Sequence, residues 1–245
     1  MFDQLRDVAA QEVERLEAAL PDTIMAIDGR VSALSERSLA DVEAAYRGSV
    51  SAATPCVNAE LAELLTYVRS EAAACVLNLR KIERFIALHV PKVEDGNNFG
   101  VAIQMETNKM VQAQGAAVKA LLDKLPDYHK DRAAAWKGVS PTRATETVES
   151  QSSSVDEATP AKEGEPGKTT KAGTGTTTKT TTSTPEPLAD AVAHVVALDV
   201  NGFFSALFAL EVVRDAYIQC GDALAKNKEK LAAPKGEGGN AMSMF

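Results

Sequence analysis

The sequence predicts an all-α fold, an elongated antiparallel four-helix bundle with a disordered insert between helices 3 and 4. Three observations carry this. Apolar residues recur at steps of three and four over long stretches, the period of one helix face. Aromatic residues make up only 5% of the chain while Ala and Leu abound, which disfavours a sheet. Residues 141–187 contain no Leu, Ile, Phe, Tyr or Trp, so nothing there can offset the entropy of ordering.

The first helix is read from Val13, Leu16, Leu20, Ile24, Ile27, Val31 and Leu34, with Glu14, Arg15, Glu17, Asp28 and Arg30 between them. Pro21 removes one internal hydrogen bond, and a kink is expected near Leu20. From Ser35 to Pro55 the pattern weakens into a connection with a short helical turn around Leu39 to Tyr46. The second helix carries Leu61, Leu64, Leu65, Val68, Ala72, Cys75, Val76, Leu79, Ile82, Ile86 and Val90, and Pro91 ends it by favouring extended backbone at Val90. The third starts near Asn98, runs through Val101, Met105, Val111, Val118, Leu121, Leu122 and Leu125, loosens at Pro126 and ends around Trp136 to Gly138. The fourth spans about Leu188 to Leu231 and presents Val192, Val195, Val196, Phe203, Leu207, Leu210, Val213, Tyr217, Leu224 and Leu231. Gly202 and Gly221 weaken its propensity but permit close helix contact. The organisation is therefore helices 1 to 3 in 1–140, a low-complexity insert in 141–187, helix 4 in 188–233 and a Gly-rich tail in 234–245. Ala-rich faces such as Ala72-Ala73-Ala74 leave apolar surface that side-by-side packing of copies would cover.

Composition narrows the function classes. A net charge of −8 disfavours nucleic acid and anionic membrane surfaces as partners, because both draw on clustered Lys and Arg. The first residues, Met1-Phe2-Asp3-Gln4, lack a basic segment followed by an apolar one, so no secretion signal is expected. The apolar stretches are read as broken by charge before they reach bilayer length, and a cytoplasmic protein is expected, with the nucleus as the other compartment. Cys56, Cys75 and Cys220 are odd in number and widely spaced, which suits reduced thiols. Enzyme motifs are weak. Gly167-Lys168-Thr169 resembles the end of a phosphate loop, but Lys162 stands where the earlier glycine is required. His89, His129 and His194 lack the Glu three residues earlier that di-metal bundles use. No catalytic residue, cofactor or metal is expected.

Two segments remain. The run Pro91 to Gln104 joins two long helices with more specificity than a reversal needs. Asp95-Gly96 and Asn97-Asn98 supply turn chemistry, since Gly accepts positive φ and Asn tolerates the left-handed region. The plain alternative is a helix connection whose Gly and Asn serve geometry alone. At the other extreme the chain ends in a Gly-rich spacer and the apolar Ser243-Met244-Phe245, which without further context reads as a frayed terminus.

The loop closely resembles the activation loop of the 11S proteasome activators, the REG or proteasome activator 28 type. Glu211 to Tyr217, Asn227 to Leu231 and Pro234 to Glu237 resemble that family's final helix and its exit. The resemblance implies subunits assembled into a ring, a homoheptamer, that activates the 20S proteasome core particle without ATP. It implies an activation loop of Lys92, Val93, Glu94, Asp95, Gly96, Asn97, Asn98, Phe99 and Gly100 that acts on the gate, with Asn97 matching the asparagine most associated with activation. It implies that Ser243, Met244 and Phe245 enter pockets between subunits of the core particle's α ring. The chain departs from the family at Lys92 and Val93, where Arg and Ile are frequent, and at Phe245, where Tyr is frequent; Lys keeps the charge of Arg without its bidentate fork. The insert falls where the family places variable sequence, at the ring mouth far from the proteasome. The competing reading is a helical oligomeric scaffold or adaptor without effect on proteasome activity.

Overall fold

The computed structural model describes residues 1–50, 57–92, 98–139 and 189–235, together with the backbone of 144–150 and 177–183. Six helices make up the body: α1 (Phe2–Ser35), α2 (Leu39–Ser49), α3 (Ala59–His89), α4 (Phe99–Lys124), α5 (Asp127–Val139) and α6 (Ala189–Ala232). The long helices run up, down, up and down. Arg84 with Glu12 and Arg30 with Glu63 set α1 against α3 in opposite sense, and Lys228 with Glu17 and Arg214 with Asp28 do the same for α6. These exposed pairs fix register more than they stabilise, at about 0–1 kcal/mol each.

Local chemistry explains the boundaries. Asn58 caps α3, its Oδ1 accepting from Glu60 N at 2.9 Å and Leu61 N at 3.4 Å. Val90, extended ahead of Pro91, ends it. The expected third helix is two helices, because Pro126 cannot continue the hydrogen-bond ladder and α5 begins immediately after it. The expected turn around Leu39 to Tyr46 is a full helix. Ser38 and Asp41 form a reciprocal capping box there, which holds the Asp41 carboxyl below its usual range through the Ser38 hydroxyl and backbone. Its Val42 and Tyr46 are fully buried against α6.

The stripes of α1 and α3 lie in the core as expected: Val13, Leu16, Leu20, Ile27 and Val31 pack with Leu61, Leu64, Val68, Cys75, Leu79, Ile82 and Ile86. On α4 Val111 and Val118 are buried as expected and Leu121, Leu122 and Leu125 pack against the core, but the first turns differ. Met105 is 68% exposed, and the helix buries Gly100, Gln104, Thr107, Val111 and Val118. These keep the helical spacing, but small and polar residues occupy its first turns, so hydropathy misses Gly100, Gln104 and Thr107 and selects Met105 instead. α6 packs against each of the other five helices and buries residues on several faces. Its 44 residues, about 66 Å long, include a window apolar enough to cross a bilayer, contrary to the sequence expectation; 56% of that window is buried inside the bundle. Gly202 and Gly221 permit close contact as expected. A Cβ at Gly202 would lie 2.9 Å from the Tyr128 ring, and one at Gly221 would lie 3.0 Å from Leu20.

At the end where α6 begins, a buried ion pair joins α5 to α6. Arg132 Nε donates to Asp199 Oδ1 at 2.7 Å, Tyr128 OH donates to the same oxygen at 2.7 Å, and the guanidinium lies 5.3 Å from the Trp136 ring centroid. Asp199 is fully buried, and removing either partner would leave an uncompensated charge. Within the stretch expected to be disordered, Ala144–Ser150 (β1) and Thr177–Ser183 (β2) pair antiparallel, with Ala144 opposite Ser183 and Ser150 opposite Thr177. Thr145, Thr147 and Val148 in the first segment and five Thr in the second have a branched Cβ, which favours extended backbone. Residues 151–176 lie outside the described part of the chain.

Cys75 and Cys220 are free and buried. Burial pushes both thiols from 9.0 up to about 12. The unfolded chain therefore loses these protons from about pH 9 while the folded chain keeps them, so the associated stability is present below pH 9 and falls as pH rises toward 12. Melting temperature measured across pH 8 to 12 should fall over that window, and the fall should be shallower in a Cys75→Ala, Cys220→Ala double variant.

Candidate partner-docking end of the bundle

The antiparallel order brings the start of α1, the end of α3, the start of α4 and the end of α6 to one end of the molecule. The expected loop leaves from α3 and returns into α4, and the expected tail leaves from α6. Lys92 and Asn98 are exposed, Phe99 is 64% exposed and Gly100 is buried. Val93, Glu94, Asp95, Gly96 and Asn97 lie outside the described residues, as do Ser243, Met244 and Phe245. The structure thus positions the roots of both segments.

Those roots touch. A Cβ built on Gly100 would lie 2.0 Å from the carbonyl oxygen of Pro234 and 2.7 Å from its Cα, so the first turn of α4 rests directly on the backbone that leaves α6. Only a residue without a side chain permits this approach. Lys235 Nζ donates to the Lys92 carbonyl at 3.4 Å. Lys230 Nζ lies 5.5 Å from the Phe99 ring centroid, a cation–π distance. The three lysines of the last turns of α6 each have a partner: Lys226 with Asp222, Lys228 with Glu17, and Lys230 with Phe99.

Beneath these contacts Gln104 is fully buried. Its amide Nε2 donates to the carbonyl of His89, the last residue of α3, at 3.1 Å and to that of Leu231, in the last turn of α6, at 2.7 Å. Helix C-termini leave their final carbonyls without an intrahelical donor, and this one side chain supplies two of them. The Gln104 Oε1 and Asn108 Oδ1 atoms are buried without a hydrogen-bond partner among the described residues. Both side chains line an open groove of about 670 Å³ walled by Ile86, Val90, Pro91 and Met105.

The sequence alone points to neither the buried bridge of Gln104 nor the contact made by Pro234. Gln104 was passed over because it is polar, although its spacing from Gly100, Thr107 and Val111 is that of a buried face. Gly100→Ala should lower stability by about 1–3 kcal/mol, since the new methyl must push backbone rather than a mobile side chain. Urea unfolding checks the loss, and an unchanged midpoint would mean that the tail root is free to move aside.

Residues 54–160 match the family model described as proteasome activator PA28, C-terminal, a range that takes in α3, the loop and α4 and stops before α6 and the tail. Among curated proteins, the chain is 29% identical over 102 residues to proteasome activator complex subunit 3 of Pongo abelii, 40% of each chain. It is 28% identical over 104 residues to that of Gallus gallus, 41% of each. Each match thus spans well under half of the relative's length. Among solved structures, a chain of the archaeal 20S proteasome–PA26 complex superposes with a TM-score of 0.65 at 15% identity, covering 99% of this chain and 98% of that one, which shows a shared fold. The family recognised in the loop sequence is the family that the comparisons return: from residue 54 to residue 160 the chain matches the 11S-type proteasome activator PA28.

Proposed function

We propose that the protein is an activator of the 20S proteasome core particle and works as a regulator rather than a catalyst. The observation that carries this reading is the junction of loop root and tail root at one end of the bundle, through Gly100 against Pro234 and Gln104 against both helix ends. In this reading the last residues, Ser243 to Phe245, attach to the α-subunit ring, and the loop around Asn97 acts on the gate. The activator family match supports the reading, as does the shared fold with a chain of a proteasome–activator complex.

Copies side by side would form a ring, which we propose to be a homoheptamer. Met25, Leu77, Phe208 and Ile218 are large, apolar and 43–71% exposed on the body, and packing of copies side by side would take such residues out of water. Several weak tails acting together would gain about 10²–10⁴ in avidity over one. Gate opening then needs no nucleotide: contacts that are stronger with the open gate than with the closed one shift the population toward the open form. We propose the cytoplasm as its compartment, with the nucleus as the other one.

The direct test mixes the purified protein with latent core particle and follows hydrolysis of a fluorogenic peptide without ATP. Stimulation is expected, and its absence across a wide concentration range would favour the scaffold reading. Removal of Met244-Phe245 should abolish co-sedimentation with core particle. Asn97→Tyr should still co-sediment but not stimulate, and normal stimulation by that variant would remove the loop from the mechanism.

A further inference from the structure

Gln104 belongs to neither the loop nor the tail, yet it touches the root of each. It sits in the second turn of α4, one turn beyond Gly100, with its side chain wholly buried. Its two amide protons go to different helices, one to the end of α3 just before the loop and one to the end of α6 just before the tail. Its Oε1 meanwhile stays buried without a partner among the described residues. An unsatisfied buried acceptor is a standing cost that an apolar residue of the same length would avoid. A side chain serving only to fill space here would more simply be Met or Leu.

We propose that Gln104 is a positioning residue that joins the root of the loop to the root of the tail, so that load on the tail is carried to the loop. The proposal rests on the activator reading for its consequence and on the structure alone for its geometry. Three further contacts run along the same line: Gly100 against the Pro234 backbone, Lys235 against the Lys92 carbonyl, and Lys230 over Phe99. The two lysine contacts lie at exposed side chains, whereas Gln104 reaches both helix ends from a buried position. Three helix termini that would otherwise fray separately are thereby made into one unit. In the assembled activator a tail held by the partner would fix where the loop stands, and attachment and gate action would not be independent.

The test uses the full-length protein and Gln104→Met, which keeps the length of the side chain and removes both donors. Amide hydrogen exchange on the free protein comes first. Exchange at the hydrogen-bonded amides of the last turn of α3, Leu88 and His89, at Ala102 and Ile103 of α4, and at Leu231 to Ala233 should accelerate together by about three- to tenfold, the loss expected for a hydrogen bond. The middle of α3 should be unchanged. Acceleration at only one root, or at neither, would overturn the proposal.

With latent core particle, the half-maximal concentration of Gln104→Met should stay close to that of the wild-type protein while the stimulation plateau falls severalfold. An unchanged plateau would overturn the coupling. A purely structural loss would instead lower the melting temperature and shift both parameters together. Should Gln104→Met fail to fold, Gln104→Asn retains the amide one methylene too short to reach both carbonyls, and the same two readings apply. Failure of the wild-type protein to stimulate would count against the activator reading, whereas the exchange result in free protein would still decide whether Gln104 joins the two roots.

Discussion

The buried amide of Gln104 is the constraint on which one end of this molecule depends. A long antiparallel bundle has a general weakness where its helices stop, because the last carbonyls of each lack donors and the chain beyond them is free to move. Here the ends of α3 and α6 are adjacent and both face α4, and one side chain from α4 satisfies a carbonyl on each. Gly100 completes the arrangement by letting the α6 exit lie against the first turn of α4 with no side chain between them. Loop and tail therefore leave from a fixed platform.

The opposite end is held by a different principle. There Asp199 sits in the third turn of α6, fully buried, and is matched by Arg132 and Tyr128 from α5, with Gly202 making room for the tyrosine ring. Buried ion pairs contribute little net stability against well-packed apolar residues, but they punish misplacement severely. The pair accordingly fixes where α5 lies on α6, and with it the point at which the chain departs toward β1. Between the two ends, α6 acts as the shared wall of the bundle, which is why a stretch of it is apolar enough to resemble a membrane span while lying largely inside a protein core.

How much of this could be read from the sequence follows from what hydropathy records. The stripes of α1, α3 and α6 were legible because Leu, Val and Ile fill them, and Pro91 and Pro126 marked the ends of α3 and α4. The first turns of α4 were not legible, since Gly100, Gln104 and Thr107 are buried for contact and hydrogen bonding, and Met105, the more apolar residue, faces solvent, whereas Val111 and Val118 further along were read correctly. Asp199 within an apolar row signals that some partner must exist, but Arg132 lies 67 residues away and nothing in the linear order names it. Ser38 and Asp41 did carry a capping signature for α2. The Thr-rich runs were read for their low complexity when their branched side chains also favour strands. The loop and tail were found by resemblance, whereas their junction is a tertiary fact.

The central claim is that loop and tail act from one rigid junction on one partner. It is tested most directly by a cryo-EM map of the protein mixed with the 20S core particle. The account predicts rings of the protein seated on the α-subunit face by the end that carries Gly100 and Pro234, with Phe245 between neighbouring α subunits, Asn97 at the gate and the Gln104 amide still bridging α3 and α6. Rings seated by the end that carries Arg132 and Asp199, or core particles left bare at saturating protein, would contradict it.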